Sequence, residues 1–398
     1  MGSLAWGTES NMSDEKFYNR ENEITLLKKL LSTLEENSSP TIMLSGIRGV
    51  GKTSLLKKIK NEMEKDYLIA YIDLTRIDTY QTDKLTKMGL INEFYKVWME
   101  AINNNGFKTI INKIKKYFKT KNFKIKEVIS AEGYPIPIIE TEDNYKKLSD
   151  FVLELPQKIY EQENNGIKGV IMIIDEFQAL KDLDNDLNNF LWLFRSVIQN
   201  QRNVAYIFSG SIGSRDDMVE KIAGRKGAFG GRMLTIEINP FTKDTVYQYL
   251  NEKLPSLIFE EDGFERFYKC TRGIPHYVST FAQLLEKNTL LDDKKIKKEF
   301  QNLLPFLALH LINLWSGLTL CEQKIVTSLS EGSLERKKIA EKLDITSSSL
   351  SMPLKKLLNE GLIEYEDKGV YAISEPILKE WLKQEYENKG IYPYRSLT

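Results

Sequence analysis

The sequence predicts an α/β fold in which a parallel sheet is covered by helices on both faces, and three observations predict it. Short apolar runs at 41–45, 67–73, 169–176, 203–209 and 233–238 are separated by helical stretches. The first run leads at once into the glycine-rich turn Gly46-Ile-Arg-Gly-Val-Gly-Lys-Thr-Ser54 and then into the helical pattern Leu55-Leu-Lys-Lys-Ile-Lys60. The run at 169–176 is apolar until it ends in an acidic pair, as a strand buried on both faces should be. Strands separated by helices make parallel sheets, and such sheets bind ligands at the carboxyl ends of their strands.

The glycine-rich turn has the spacing G-x-x-x-x-G-K-T of a phosphate-binding loop. Gly46, Gly49 and Gly51 permit backbone conformations that a Cβ resists, so the loop can turn its N–H groups inward at the positive end of a helix. The expected nucleotide-binding stretch is Gly46, Gly49, Val50, Gly51, Lys52, Thr53 and Ser54. Lys52 would reach the β- and γ-phosphates of a nucleoside triphosphate, and the Thr53 hydroxyl would hold Mg²⁺. Asp175 and Glu176, at the end of their apolar run, supply the second half. Asp175 is expected to hold the magnesium through water, and Glu176 to accept a proton from the attacking water. Ser209 and Ser211 end the next strand, where a polar side chain would face the γ-phosphate or simply serve the turn at Gly210. Of the candidate arginines, Arg48 lies in the loop, Arg215 and Arg225 lie in a polar segment, and Arg232 precedes the fifth strand.

Composition bounds the remaining possibilities. With 398 residues, 41% hydrophobic and 28% charged, the chain has the make-up of a globular protein of two or three domains. Its formal net charge of zero argues against a basic nucleic-acid-binding coat. Cys270 and Cys321 form no CxxC pair, and only His276 and His310 are available as imidazole ligands. Residues 1–12 lack a basic region followed by an apolar one, so no signal peptide is expected. The apolar stretch at 303–318, interrupted by Pro305, His310, Asn313 and Gly317, is too short to span a bilayer comfortably and reads as a buried helix. A cytoplasmic location is expected.

Read in order, residues 1–13 form a leader. An amphipathic helix ends near Asn37 and is broken by Ser38-Ser-Pro40. The P-loop ATPase domain then covers 14–241, with a mainly helical insertion at about 85–163. Within that insertion, residues 107–126 carry eight lysines and no acid, while Ile110, Ile111, Ile114 and Phe118 supply a helical apolar stripe. The run reads as a solvated face, with a nucleic-acid patch as the alternative. Residues 123–139 alternate like a hairpin turning at Gly133-Tyr-Pro135. Helical segments at 242–254, 264–271 and 275–287 form a lid domain over 242–317. From 318 to 398, three short helices are followed by a strand–turn–strand at 361–373, the pattern of a winged helix-turn-helix.

These motifs carry a family resemblance. The chain resembles the archaeal-type STAND ATPases of the MNS group, AAA+-related members of the ASCE P-loop NTPases, over almost its whole length. The resemblance rests on Phe17, Arg20, Glu23 and Ile24, on the loop at 46–56, and on Ile174-Asp-Glu-Phe-Gln178. It extends through Gly210-Ser-Ile-Gly-Ser214, Thr271-Arg-Gly-Ile-Pro-His-Tyr277, and Gly369-Val-Tyr-Ala-Ile-Ser-Glu-Pro376 with Trp381. It implies that Phe17 and Arg20 line the adenine side, that Pro275 contacts nucleotide from the lid, and that Arg232 faces the γ-phosphate. The sequence departs from the pattern at Phe229-Gly-Gly-Arg232, which has one glycine too many.

The expected activity is slow, Mg²⁺-dependent ATP hydrolysis that works a molecular switch, with ATP or ADP bound according to the position of the lid. The alternative is an origin-recognition-like ATPase that loads on DNA. Between 318 and 398 the cations and acids nearly cancel, which favours a protein-facing or intramolecular winged helix over a DNA-facing one. A protein partner reached through the winged helix or lid, and an oligomer, are both compatible with the sequence.

Overall fold

A computed structural model describes residues 17–82, 84–121, 125–126, 136–137, 142–163, 166–210, 222 and 227–395. The leader, the Gly133 turn, Ser211, Arg215 and Arg225 lie outside the described residues. The central sheet has strands β1 (Thr41–Ser45), β2 (Leu68–Asp73), β3 (Val170–Asp175), β4 (Val204–Ser209) and β5 (Leu234–Glu237), all parallel, in the order β2-β3-β4-β1-β5. That order sets β4 between the strand ending in the phosphate loop and the strand ending in the acidic pair, so Ser45, Asp175 and Ser209 share one edge.

Alternation along the strands explains the three layers. Ile171, Ile173, Ala205 and Ile207 point to one face, under α1 (Glu21–Ser32) and α2 (Lys52–Met63). Met172, Ile174, Tyr206 and Phe208 point to the other, under the insertion. That insertion consists of α3 (Lys87–Asn104), α4 (Lys108–Thr120) and α5 (Glu142–Glu163), with α6 (Asp186–Ile198) beside them. Helix α4 buries Ile110, Ile111, Ile114 and Phe118, and Lys113, Lys115, Lys116 and Lys119 lie exposed on its other side. Ile125–Lys126 pairs antiparallel with Ile136–Pro137, as a hairpin requires.

The remainder is helical at first: α7 (Lys243–Lys253), α8 (Glu261–Thr271), α9 (Pro275–Leu284), α10 (Asp293–Leu307) and α11 (Leu309–Gly317). The single buried helix expected at 303–318 is in fact the end of α10 plus α11, broken at Ala308, and it leaves Phe306 and Leu309 more than half exposed. Pro305 sits inside α10, and His310 and Asn313 lie within α11, so neither helix is apolar all round.

Helices α12 (Leu320–Ser328), α13 (Arg336–Leu343) and α14 (Ser351–Asn359) follow. The sheet of β6 (Leu334–Glu335), β7 (Ile363–Asp367) and β8 (Val370–Ile373), in the order β6-β8-β7, and a closing helix α15 (Pro376–Lys389) complete the winged helix. One apolar cluster runs unbroken from Phe241 through Trp315 to Leu382. The junction at 317–318 therefore separates two folds in sequence but not two cores. Trp315 packs edge-on against Trp381 at 6.1 Å and donates its indole N–H to Pro393 O at 2.7 Å.

Candidate functional site

The phosphate loop is shaped by its glycines. Gly46 has φ 147°, and a Cβ there would lie 2.5 Å from Ile238 O, a contact no side chain tolerates. Gly49, with φ 82°, lies against the start of α9: a Cβ would sit 3.1 Å from both Ile274 and His276. Val50 is buried and Ser54 half-buried, on either side of the start of α2.

Lys52 is almost fully buried. Its ammonium donates to Gly46 O at 2.9 Å and Ile47 O at 3.0 Å. Burial pushes its pKa down to about 8, against the pull of Glu176 and Asp175. The Thr53 hydroxyl donates to Asp175 Oδ2 at 2.7 Å, and the Tyr71 hydroxyl donates to the same oxygen at 2.8 Å. The other carboxylate oxygen accepts from Glu176 N–H at 3.0 Å. Glu176 adopts a left-handed backbone, φ 52°, unusual for a residue with a Cβ and of the kind that collects at functional sites. Its carboxylate accepts from Gln178 Nε2. Burial, and then the neighbouring Asp175, raise its pKa above the usual carboxylate range.

Two hydroxyls at this edge bear on whether a phosphorylated ligand fits. Ser45 Oγ and Ser209 Oγ are buried, each without a hydrogen-bond partner among the described residues. Buried hydroxyls are rarely left so, and both lie beside the loop where a phosphate or its attacking water would supply a partner. Together with the glycine cradle and the Thr53–Asp175 pair, they fit a magnesium-bound nucleotide. Among the described residues no group of three or more His, Cys, Asp or Glu side chains is arranged to hold a metal. Magnesium needs none, because it keeps its waters and leans on substrate phosphates plus one or two protein oxygens.

The segment before α1 packs beside the loop. Phe17 is half-buried against the cluster containing Val50 and Leu55. Arg20, in a left-handed conformation at φ 81°, donates to Val50 O at 3.0 Å and Asn239 O at 2.7 Å. It also pairs with Glu23 at 3.1 Å and lies over the Phe241 ring at 4.9 Å. Its guanidinium thus fastens the N-terminal segment to the phosphate loop and to residues 239–241 after β5, which makes Arg20 a positioning residue. Pro275 opens α9, and the next residue, His276, donates its backbone N–H to Gly49 O at 3.2 Å.

The structure does not bring Arg232 to this cluster. Leu234 pairs with Ile42 and Glu237 with Ser45, so β5 runs toward the loop and Arg232 stands before its far end. The strand alone separates them by roughly 10 Å, and the Arg232 side chain is exposed. Sequence reasoning missed Tyr71 and Glu375. Tyr71 shows only as a polar atom within an apolar strand. Glu375 lies 200 residues from Asp175 and is brought in by the fold, where its carboxylate accepts from the Tyr277 hydroxyl of α9 at 2.8 Å.

Comparison with known proteins places the two parts of the chain in known families. Residues 17–281 match the model of an ATPase domain predominantly from Archaea, and residues 323–365 match that of the arsR family of bacterial regulatory proteins. The chain is 27% identical over 304 residues to the uncharacterized ATP-binding protein MJ0147 of Methanocaldococcus jannaschii, covering 73% of this chain and 76% of that protein. It is 26% identical over 298 residues to MJ1010 of the same organism, covering 71% and 74%. Among solved structures, the Walker-type ATPase paby2304 of Pyrococcus abyssi superposes with a TM-score of 0.64 at 21% identity, over 94% of this chain and 99% of that one.

Proposed function

We propose a nucleotide-operated molecular switch of the STAND type for this chain, which belongs to the family of ATPase domains found predominantly in Archaea. In this reading, ATP binds with its phosphates in the loop at 46–54 and its base toward Phe17. Thr53 and Asp175 would hold magnesium, which when bound would supply positive charge against the phosphates. Glu176 takes the proton of a water that attacks the γ-phosphorus, the bond to the β-phosphate oxygen breaks, and ADP and phosphate result. Ser209 orients that water. Lys52, ammonium-charged below about pH 8 even without ligand, stabilises the charge that spreads over the phosphoryl oxygens.

One observation carries the switch. Lid and winged helix share one core from Phe241 to Leu382, and this body meets the phosphate loop through Ile274, His276 and the half-buried Ile47. A nucleotide that displaces or draws in the lid must therefore carry the winged helix with it. Ligands shift such an equilibrium only by binding its two arrangements unequally. A donor–acceptor dye pair on exposed Asn61 and Met352, each replaced by cysteine in a Cys270→Ser/Cys321→Ser background, tests it. Its transfer efficiency should differ between ADP and a non-hydrolysable ATP analogue, and equal efficiencies would refute the switch.

The resemblance of residues 323–365 to a regulatory helix-turn-helix family favours a second reading, a DNA-bound winged helix. Lys337 and Met352 stand exposed on α13 and α14. Against it, the Arg336 guanidinium is tied to Ser347 O and Ser351 Oγ within the domain, and β7 carries Glu364, Glu366 and Asp367. A salt titration of duplex-DNA affinity separates the two: phosphate contacts give a steep slope, and weak, flat binding removes the DNA reading.

A further inference from the structure

The buried Glu375 belongs to neither the phosphate loop nor the Asp175–Glu176 pair, yet it stands beside them. It is the residue before α15, held at the seam between winged helix and lid, and only 7% exposed. Its Oε2 accepts from Tyr277 Oη at 2.8 Å in a buried contact. Tyr277 follows His276, whose N–H donates to Gly49 O, and Gly49 is the loop position pressed against Ile274 and His276. A continuous path of contacts therefore runs from the phosphate loop through the first turn of α9 to the Glu375 carboxylate. Charge agrees with the path. The carboxylate lies within the fields of Arg48 and Lys52, which favour its ionised form, whereas burial works against that form and raises its pKa. Lys52 in turn feels Glu375.

An acid buried this close to a phosphate loop is unfavourable for a polyanion, and more so as that polyanion gains charge. Arg48 and Lys52 both belong to the glycine-rich loop at 46–54, where the proposed function places the phosphates. We propose that Glu375 is the specificity-determining residue that lets the closed arrangement hold a nucleoside diphosphate and disfavour a triphosphate. Tyr277 positions the carboxylate, and the γ-phosphate, with its added charge, competes with it for Arg48 and Lys52. This inference rests on the switch reading and names the group through which the winged helix senses the phosphate number.

The test is calorimetric. Affinities for ADP and for a non-hydrolysable ATP analogue are measured with magnesium on the full chain, on Glu375→Gln and on Tyr277→Phe. Glu375→Gln keeps an acceptor for Tyr277 and removes only the charge. The wild-type chain should bind ADP at least tenfold more tightly than the analogue. Glu375→Gln should bring the ratio to within about threefold of unity, mainly by gaining affinity for the analogue, and Tyr277→Phe should lower it to an intermediate value. A wild-type ratio at or below one overturns the proposal, as does a ratio that neither variant moves by more than twofold. Should Glu375→Gln fail to fold, Tyr277→Phe alone decides by the same criterion. The switch fails separately: a discriminating Glu375 with no nucleotide-dependent change in dye transfer would leave the specificity and remove the motion.

Discussion

The Thr53 hydroxyl donates to Asp175 Oδ2 at 2.7 Å, joining the phosphate loop to the end of β3 across 122 residues of sequence. The same oxygen accepts from Tyr71 at 2.8 Å, so the carboxylate is held from two sides. Groups that orient a metal-holding carboxylate commonly matter about 10- to 100-fold for affinity or activity. Tyr71→Phe is therefore expected to raise the Mg²⁺ concentration for half-maximal ATP hydrolysis about tenfold and leave ADP affinity without Mg²⁺ within twofold. A metal titration of turnover checks this; an unchanged Mg²⁺ requirement would show that Tyr71 does not orient Asp175.

Glu176 is the proposed base. Glu176→Gln should keep nucleotide affinity within about threefold and lower kcat by at least 100-fold, the scale of a positioned general base. Equilibrium binding and single-turnover hydrolysis, measured together, separate the two effects. A variant that hydrolyses ATP at the wild-type rate would remove Glu176 from the chemistry.

The pH dependence follows from two displaced groups. Glu176 is raised above the usual carboxylate range, so it is protonated and unable to accept a proton at the acid end, and kcat should climb with pH through that raised value. This limb should vanish in Glu176→Gln. Lys52 is lowered to about 8, so kcat/KM, which reports the free enzyme, should fall above about pH 8 as the ammonium is lost.

Stability has the opposite dependence. Between about pH 8 and the unfolded value of 10.5, the unfolded chain binds the Lys52 proton and the folded chain does not. The nucleotide-free protein should therefore gain stability as pH rises through that window, and the full penalty of a buried ammonium should be present below it. Lys52→Met should flatten this segment of the melting-temperature profile while abolishing stabilisation by nucleotide. A profile that falls between pH 8 and 10 in the wild type, and does so equally in the variant, would contradict the assignment.

Arg20 fastens three segments. Arg20→Ala leaves the buried carbonyl of Val50 and the part-buried carbonyl of Asn239 without their charged donor. Bonds from charged groups contribute about 1.5–3 kcal/mol each, and Ala also forfeits the stacking on Phe241. A loss of about 3 kcal/mol in urea unfolding is expected, with weakened nucleotide binding as a consequence. A loss under 1 kcal/mol would mean that the clamp is redundant.

How much of this was legible in the sequence depends on how local each signal is. The phosphate loop, the acidic pair and the order of strands and helices are local patterns, and the structure places Lys52, Thr53, Asp175, Glu176 and Ser209 along one edge of the sheet. Arg232 read as a neighbour of the site because it precedes a strand. The register of β5 puts it at the far edge, which only pairing reveals. The stretch at 303–318 read as one helix because its hydropathy is averaged along the chain, whereas Ala308 breaks it and Phe306 and Leu309 face outward. Glu375 was read as part of a terminal motif. Nothing nearby in sequence signals that Tyr277, 98 residues earlier, holds it beside the loop.

The central claim is that nucleotide state moves the body containing the winged helix, and hydrogen exchange measures that most directly. Amide protection of the segments spanning α9 and residues 370–378 should be compared in the presence of ADP and of a non-hydrolysable ATP analogue. Slow exchange with ADP and at least tenfold faster exchange with the analogue are predicted, with α2 protected in both. Equal protection of 370–378 under the two nucleotides, at concentrations that saturate the site, would contradict the account.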